Sequence, residues 1–140
     1  MTKSVDARSI TRAECERIIA RIHAACEREG QAATIVIVDR GGALKALSRS
    51  DDATAPWAVD IATAKARTAL NTNVSTRDLW EEVRNEPTLA ANIPYLHELT
   101  MLPGGLPIRD GDVLIGGLGV GSNARYTEDE RLAEAGLREE

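Results

Sequence analysis

Two histidines are the residues of this chain whose chemistry is most accessible near neutral pH, because imidazole titrates there and can also bind a metal. His23 flanks the apolar stripe of a predicted helix. It is there either as a residue at the core boundary or as the axial ligand of a haem iron, which a single imidazole can provide. His97 lies in a long proline-bounded loop, where it is either a surface residue or a general acid/base.

Three cations form a second candidate group. Arg49 ends a predicted strand, Lys65 borders an apolar helix face and Arg109 ends the first strand of a hairpin. If these ends converge, they form a ligand-binding cradle for a carboxylate or another anion, and Asp51 belongs to the same candidate set. Lys65 is the hardest of the three to explain without a ligand, because its apolar neighbours would strip its hydration. The alternative is that the cations pair with neighbouring aspartates, namely Asp51, Asp52, Asp110 and Asp112.

Capping residues and periodicity predict the helix that carries His23. Thr11 and Glu14 form a capping box, in which each side chain satisfies a free amide at a helix start. The helix that they open ends at Gly30. Its apolar positions recur at helical spacing: Cys15, Ile18, Ile19, Ile22 and Cys26.

A second predicted helix, residues 57–70, follows Pro56 and carries Lys65. Ser75 caps a shorter helix that reaches about Arg84, and residues 127–130 form a second capping box that opens a C-terminal helix. Residues 85–103 are predicted to be irregular, and a loop of that length is often functional. One stripe of the second helix consists of small side chains that allow close approach to a sheet: Ala58, Ala62, Ala66 and Ala69.

Two hairpins supply the predicted strands. Residues 34–38 are a continuous β-branched run, typical of a strand buried on both faces, and residues 43–49 form its partner. Asp110 and Gly111 predict the second hairpin, because its turn needs positive φ. Bare glycines on one face of its second strand indicate either close packing of a helix or subunit, which we favour, or the floor of a ligand site. These glycines are Gly117, Gly119 and Gly121.

The predicted order is α-β-β-α-α-loop-β-β-α, with a further short strand near residues 99–102. Hairpins linked through helices indicate an α+β domain. We expect an antiparallel sheet of about five strands with helices packed mainly on one face, in a single domain over residues 1–140.

Composition argues against several classes of partner. The net charge of −5 gives no electrostatic footprint for nucleic acid, and no apolar stretch is long enough to span a membrane. The first residues lack the apolar region of a signal peptide, so we expect a cytoplasmic protein. No metal-binding spacing or phosphate-loop motif is present. Cys15 and Cys26 lie about 16 Å apart along one helix, too far for a disulfide with each other, and are predicted to be reduced core residues.

The ordered set of motifs resembles one known family. Residues 38–51, which read Val-Asp-Arg-Gly-Gly-Ala-Leu-Lys-Ala and end in Arg-Ser-Asp, resemble the hairpin of the GlcG/HbpS-like family, also called the haem-degrading or DUF336 domain. Residues 62–69 resemble that family's Ala-Lys-Ala helix. Residues 103–108, 111, 115–120, 129 and 135–137 resemble its C-terminal half, so the likeness covers residues 10 to 138.

The resemblance implies an α+β domain with a five-stranded antiparallel sheet that assembles as a homo-oligomer. Members of the family include an extracellular haem-binding sensor partner and the haem-binding C-terminal domain of the PduO protein. Others are encoded beside glycolate or aromatic catabolism. The resemblance therefore implies a small-molecule ligand, with haem as one cofactor to consider.

Three functions follow from these observations. The leading hypothesis is an oligomeric ligand-binding domain for haem or a related tetrapyrrole, with His23 as axial ligand. The alternative is a cofactor-independent isomerase, hydratase or lyase acting on a small carboxylated metabolite, with His97 and Lys65 as catalytic residues and the cations binding the acid. The third is a structural or accessory subunit in which the glycine face serves assembly.

Overall fold

The computed structural model describes residues 2–139, which form one four-stranded antiparallel sheet and its surrounding helices. In chain order the elements are α1 (Arg12–Glu29), β1 (Ala33–Asp39), β2 (Leu44–Arg49), α2 (Ala58–Thr72), α3 (Thr76–Val83), α4 (Pro87–Asn92), a 3-10 helix (Ile93–Tyr95), β3 (Gly105–Asp110), β4 (Val113–Ser122) and α5 (Tyr126–Leu137). The strands lie in the spatial order β2-β1-β4-β3.

The sheet has four strands rather than about five, because residues 99–102 bond to helices instead of to a strand. The Thr100 amide donates to the Thr68 hydroxyl at 3.0 Å. The Thr76 hydroxyl donates to the Leu102 carbonyl at 2.6 Å. Helix side chains therefore use the backbone groups that a strand ladder would need.

Helices cover both faces of the sheet, so the expectation of helices mainly on one face is wrong. Ile35 and Ile37 of β1 pack with α1 and α5, whereas Val36 and Val38 pack with α2. The physical reason lies in the composition of β1. A strand with consecutive apolar residues, here Ile35 to Val38, exposes hydrophobic surface to water unless both of its faces are covered.

The glycines of β4 serve the predicted packing against the Ala-striped helix. A Cβ at Gly119 would lie 1.8 Å from the Ala62 carbonyl oxygen, and one at Gly117 would lie 2.2 Å from that of Ala66. Glycine at these two positions therefore lets the α2 backbone lie directly on the strand. Gly121 differs, because a Cβ there would make only an ordinary 4.0 Å contact with Ala58.

The predicted helix starts are confirmed for α1 and α3 and wrong for α5. The Glu14 amide donates to the Thr11 hydroxyl at 3.1 Å, and the Asp78 amide donates to the Ser75 hydroxyl at 3.0 Å. By contrast, α5 begins at Tyr126, one residue before Thr127, and no side chain caps it. Its acid Asp129 bonds to Lys65 and Ser122 instead.

The segment 85–103 is less irregular than predicted. It contains α4 and the 3-10 helix, and a proline stands in the first turn of each. Proline is favoured there because its fixed φ suits the helix start and its missing amide would have no partner. None of the helices within residues 2–139 has the length and apolar character that a membrane crossing requires.

Candidate functional site

Lys65 is buried and paired within the chain. Its side chain leaves α2, and its Nζ donates to the Val120 carbonyl and to Oδ2 of Asp129, each at 2.8 Å. Only 1% of Lys65 and 4% of Asp129 is exposed. Burial lowers the pKa of Lys65 below its ordinary value, and the charge of Asp129 opposes that shift. The pair joins α2, on one face of the sheet, to α5, on the other.

The second oxygen of Asp129 completes this cluster. Oδ1 accepts the Ser122 amide at 3.0 Å and also the Ser122 hydroxyl. Every buried polar side-chain atom among residues 2–139 has a hydrogen-bond partner. Because Lys65 already has a carboxylate and a carbonyl as partners, the cluster satisfies itself without a ligand.

The three cations of the predicted cradle do not converge. Arg109 donates to the backbone and side-chain oxygens of Asn73 at 2.7 and 3.0 Å. Arg49 and Arg109 lie on opposite edge strands and toward opposite ends, since Arg49 is level with Gly121 and Arg109 with Leu114. Strand spacing and rise separate their backbones by more than about 20 Å. The sheet order therefore excludes the cradle.

His97 lies on the surface, with 93% of its side chain exposed. It lines a shallow cavity beside Arg67, and the ammonium of Lys65 does not reach that cavity. Arg67 pairs there with Glu98 at 2.7 Å. His97 and Lys65, the two predicted catalytic residues, are thus not brought together.

One predicted set does come together. His23, Arg49 and Asp51 line a single cleft of about 380 Å³ between the end of α1, the end of β2 and the loop that follows it. His23 reaches the cleft from α1, while the other two residues come from β2 and its loop. The remaining walls are mostly polar: Cys26, Glu27, Gln31, Ala32, Ser50 and Asp52.

The ring of His23 is oriented by β2. Its Nε2 lies 2.7 Å from the Ser48 hydroxyl oxygen, and Nδ1 has no hydrogen-bond partner among residues 2–139. When Nε2 carries the proton and donates it to Ser48, Nδ1 presents a lone pair. A hydrogen bond on the second nitrogen is the arrangement that fixes the tautomer and orientation of a metal-bound imidazole.

Arg49 lines the cleft at the end of β2, and its side chain leaves the strand on the face opposite to that of Ser48. Within residues 2–139 its guanidinium forms no ion pair closer than 4.0 Å, in contrast to Arg8, Arg67 and Arg77. The cleft also holds the carboxylates of Glu27, Asp51 and Asp52. The arrangement combines one imidazole and several acids with an arginine at the edge of the cleft, and it can bind a polar or charged group.

Sequence comparison identifies relatives over most of the chain. The model of the family described as haem-degrading protein HbpS-like matches residues 10–138. Protein GlcG of Escherichia coli K12 is 38% identical over 103 residues, which are 74% of this chain and 74% of that protein.

Structural comparison agrees with the α+β architecture. A double mutant of Streptomyces reticuli HbpS matches with a TM-score of 0.87 at 25% identity, covering 98% of this chain and 90% of that one. A complex of PduOC with haem matches with a TM-score of 0.81 at 20% identity, covering 92% and 93%. At the latter identity the likeness concerns the fold.

Proposed function

The chain belongs to the HbpS-like family, and we propose that it is a ligand-binding domain for haem or a related tetrapyrrole, with the His23 cleft as its site. The observation that carries this proposal is the oriented imidazole of His23, in a cleft that Arg49 also lines. Imidazole is a common axial ligand of haem iron, and guanidinium binds carboxylates through two parallel hydrogen bonds.

The residues of the cleft fit the polar ends of a haem. Nδ1 of His23 would serve the iron, and Arg49 would pair with a propionate. Asp51 lines the same cleft and would face the polar groups of the ligand. Bound haem would supply the iron centre, and the chain itself would supply the ligand nitrogen and its orientation through Ser48.

The walls of the cleft are mostly polar. The apolar surface that contacts the ring of such a ligand would therefore come from outside the cleft. This feature predicts an open, exchangeable site rather than an enclosed one. The family's description and the haem complex of a protein with this fold support the ligand class.

Titration of the purified protein with haemin tests the proposal. We expect a saturable shift of the Soret band that His23→Ala abolishes, because the axial nitrogen is lost. Arg49→Ala should weaken binding by about tenfold, the value of one charge-assisted contact. His97→Ala is the matched control and should bind as the wild type does, since that ring is exposed elsewhere.

Two results would count against the proposal. If the wild-type protein gives no saturable shift, haem is not its ligand. If His23→Ala and His97→Ala bind haemin equally, the site lies elsewhere, and the assignment of the cleft is wrong.

A further inference from the structure

The contact between His23 and Ser48 joins a base to a nucleophile. Nε2 of His23 lies 2.7 Å from the Ser48 hydroxyl oxygen, a separation at which an imidazole can take the proton of a serine that attacks a substrate. Within residues 2–139 the Ser48 hydroxyl has no second hydrogen-bond partner. Its proton therefore points to Nε2 whenever that nitrogen is unprotonated.

The pair lies where a substrate can reach it. Ser48 and His23 are both half-buried, and Ser48 belongs to β2, which is an edge strand of the sheet. His23 lines the cleft of about 380 Å³, and so do Arg49 and Ser50, the two residues that follow Ser48. A molecule in the cleft therefore lies beside the pair, and the outer edge of β2 leaves room for its reacting group.

The edge position of β2 also leaves backbone donors next to Ser48. The Ser50 amide donates to the Ala33 carbonyl at 2.9 Å, and hydrogen-bonded and non-hydrogen-bonded pairs alternate along an antiparallel ladder. The amides of Leu47 and Arg49 therefore point away from β1, on the side where no strand accepts them. Amides beside a nucleophile can bind the oxyanion that forms when the nucleophile attacks a carbonyl group.

We infer that Ser48 and His23 form a catalytic dyad that hydrolyses esters of small carboxylic acids. Ser48 Oγ forms a bond to the carbonyl carbon while its proton passes to Nε2 of His23. The bond from that carbon to the alkoxide oxygen then breaks, and Nε2 gives the proton to the departing alcohol. Water then cleaves the acyl–Ser48 bond, with Nε2 taking its proton and returning it to Ser48, and the free acid leaves.

This activity does not require haem, and it uses the opposite tautomer of the His23 ring from the proposed haem site. In the dyad Nε2 accepts the Ser48 hydroxyl and Nδ1 carries the proton. Glu27 follows His23 by one helical turn and lines the same cleft, so it offers a carboxylate to that proton. Haem on Nδ1 needs the lone pair there and keeps the proton on Nε2. Bound haem should therefore stop the hydrolysis.

Hydrolysis of p-nitrophenyl acetate by the whole protein tests this inference. We expect acid-quenched samples to carry an acetyl group on Ser48, located by peptide mass spectrometry. Ser48→Ala removes the nucleophile and His23→Ala removes the base, so each should lower the rate about 100-fold. Ser48→Cys keeps a nucleophile and should still be acetylated at position 48. Ser4→Ala and His97→Ala, at exposed positions, are the controls and should hydrolyse the ester at the wild-type rate.

Either of two results would overturn the dyad. One is a wild-type protein that is never acetylated at Ser48, and the other is Ser48→Ala hydrolysing the ester as fast as wild type while its thermal unfolding is unchanged. The failure of this inference and that of the haem proposal are distinguishable. Saturable haemin binding without hydrolysis removes the dyad alone, whereas hydrolysis through Ser48 without a Soret shift removes the haem proposal alone.

Discussion

At Lys65 a charged side chain lies in an apolar layer because a carboxylate and a carbonyl replace the water that it loses. Neither charged group of the pair can be hydrated instead, because Lys65 and Asp129 are both almost fully buried. The stability of the pair therefore depends on keeping both partners.

Removing one partner should cost more than removing both. Lys65→Met leaves Asp129 buried and unpaired, and we expect it to lower the free energy of unfolding by about 3–5 kcal/mol in urea titrations. The double variant with Asp129→Leu should recover much of that loss. Lys45→Met, at an exposed position on β2, is the control and should stay within about 0.5 kcal/mol of wild type. A double variant less stable than Lys65→Met would contradict this account of the pair.

Cys15 and Cys26 should be inert toward thiol reagents in the folded protein. Both are free and buried, and burial raises the pKa of each thiol, so the reactive thiolate is scarce. At pH 8 we expect no release of colour from Ellman's reagent within minutes for the native protein, and two reactive thiols per chain in urea. A thiol that reacts rapidly in the native state would show that its burial is incomplete.

At the residue scale the sequence shows which side chain needs an ion-pair partner more readily than which residue that partner is. Lys65 stands out because a lysine in an apolar stripe needs a counter-charge. Asp129 does not stand out, because an acid in the first turn of a helix is already explained by the helix dipole. The contact between them joins residues 64 positions apart, and local patterning contains no information on such a pairing.

At the scale of elements, the contact between α2 and β4 sets the distance between the helix and that face of the sheet. Ala62 and Ala66 meet Gly119 and Gly117 backbone to backbone. A single methyl group on the strand would have to push the helix away.

Gly119→Ala and Gly121→Ala form a matched pair that tests this contact. The first should destabilise the protein by about 3 kcal/mol, because its Cβ overlaps the Ala62 carbonyl oxygen and the helix and strand backbones must move apart. The second should be nearly neutral, because its Cβ has room. Thermal unfolding of both variants measures the difference. Equal melting temperatures would show that α2 does not lie on the strand as described.

The starts of α1 and α3 were predictable because a side chain forms each cap. Thr11 and Ser75 hydrogen-bond their helix amides, as their spacing indicates. For α5 the same spacing misleads, because Asp129 bonds Ser122 and Lys65, and the helix begins earlier, at Tyr126. A tertiary contact overrides a local preference there.

For the whole molecule, β2 is an unprotected edge of the sheet. It pairs with β1 on one side only. Leu44 and Leu47 are 56% and 41% exposed, and an edge strand that exposes apolar side chains is a surface for association. We propose that copies of the chain assemble through this edge.

Charged substitutions on β2 test that assembly. The variant Leu44→Glu/Leu47→Glu should sediment with the mass of one chain, whereas wild type should sediment as an oligomer. Val113→Glu, at the exposed start of β4, is the control and should leave the oligomer intact. A monomeric wild type, or an oligomer that survives both substitutions on β2, would contradict the proposal.

The order of helices and strands along the chain was sufficient to predict the α+β class of the fold. It was not sufficient to predict which face of the sheet each helix covers. The two hairpins and the run of apolar residues in β1 predict an antiparallel α+β sheet, as observed. Which face each helix covers depends on the sheet order, which places β4 between β1 and β3 and sets Arg49 and Arg109 at opposite edges. Both arginines end strands, and nothing in their local sequence shows that those strands are the two opposite edges of the sheet.

The most direct test of the ligand assignment is chemical rescue of His23→Ala with free imidazole in the presence of haemin. If His23 Nδ1 is the axial ligand, imidazole that diffuses into the vacated space should restore the Soret spectrum of the wild-type complex in a saturable way. The same imidazole additions to the His97→Ala complex should leave its Soret spectrum unchanged, up to the imidazole concentration that saturates the rescue of His23→Ala. A His23→Ala complex whose spectrum already equals that of wild type before imidazole is added would contradict the assignment.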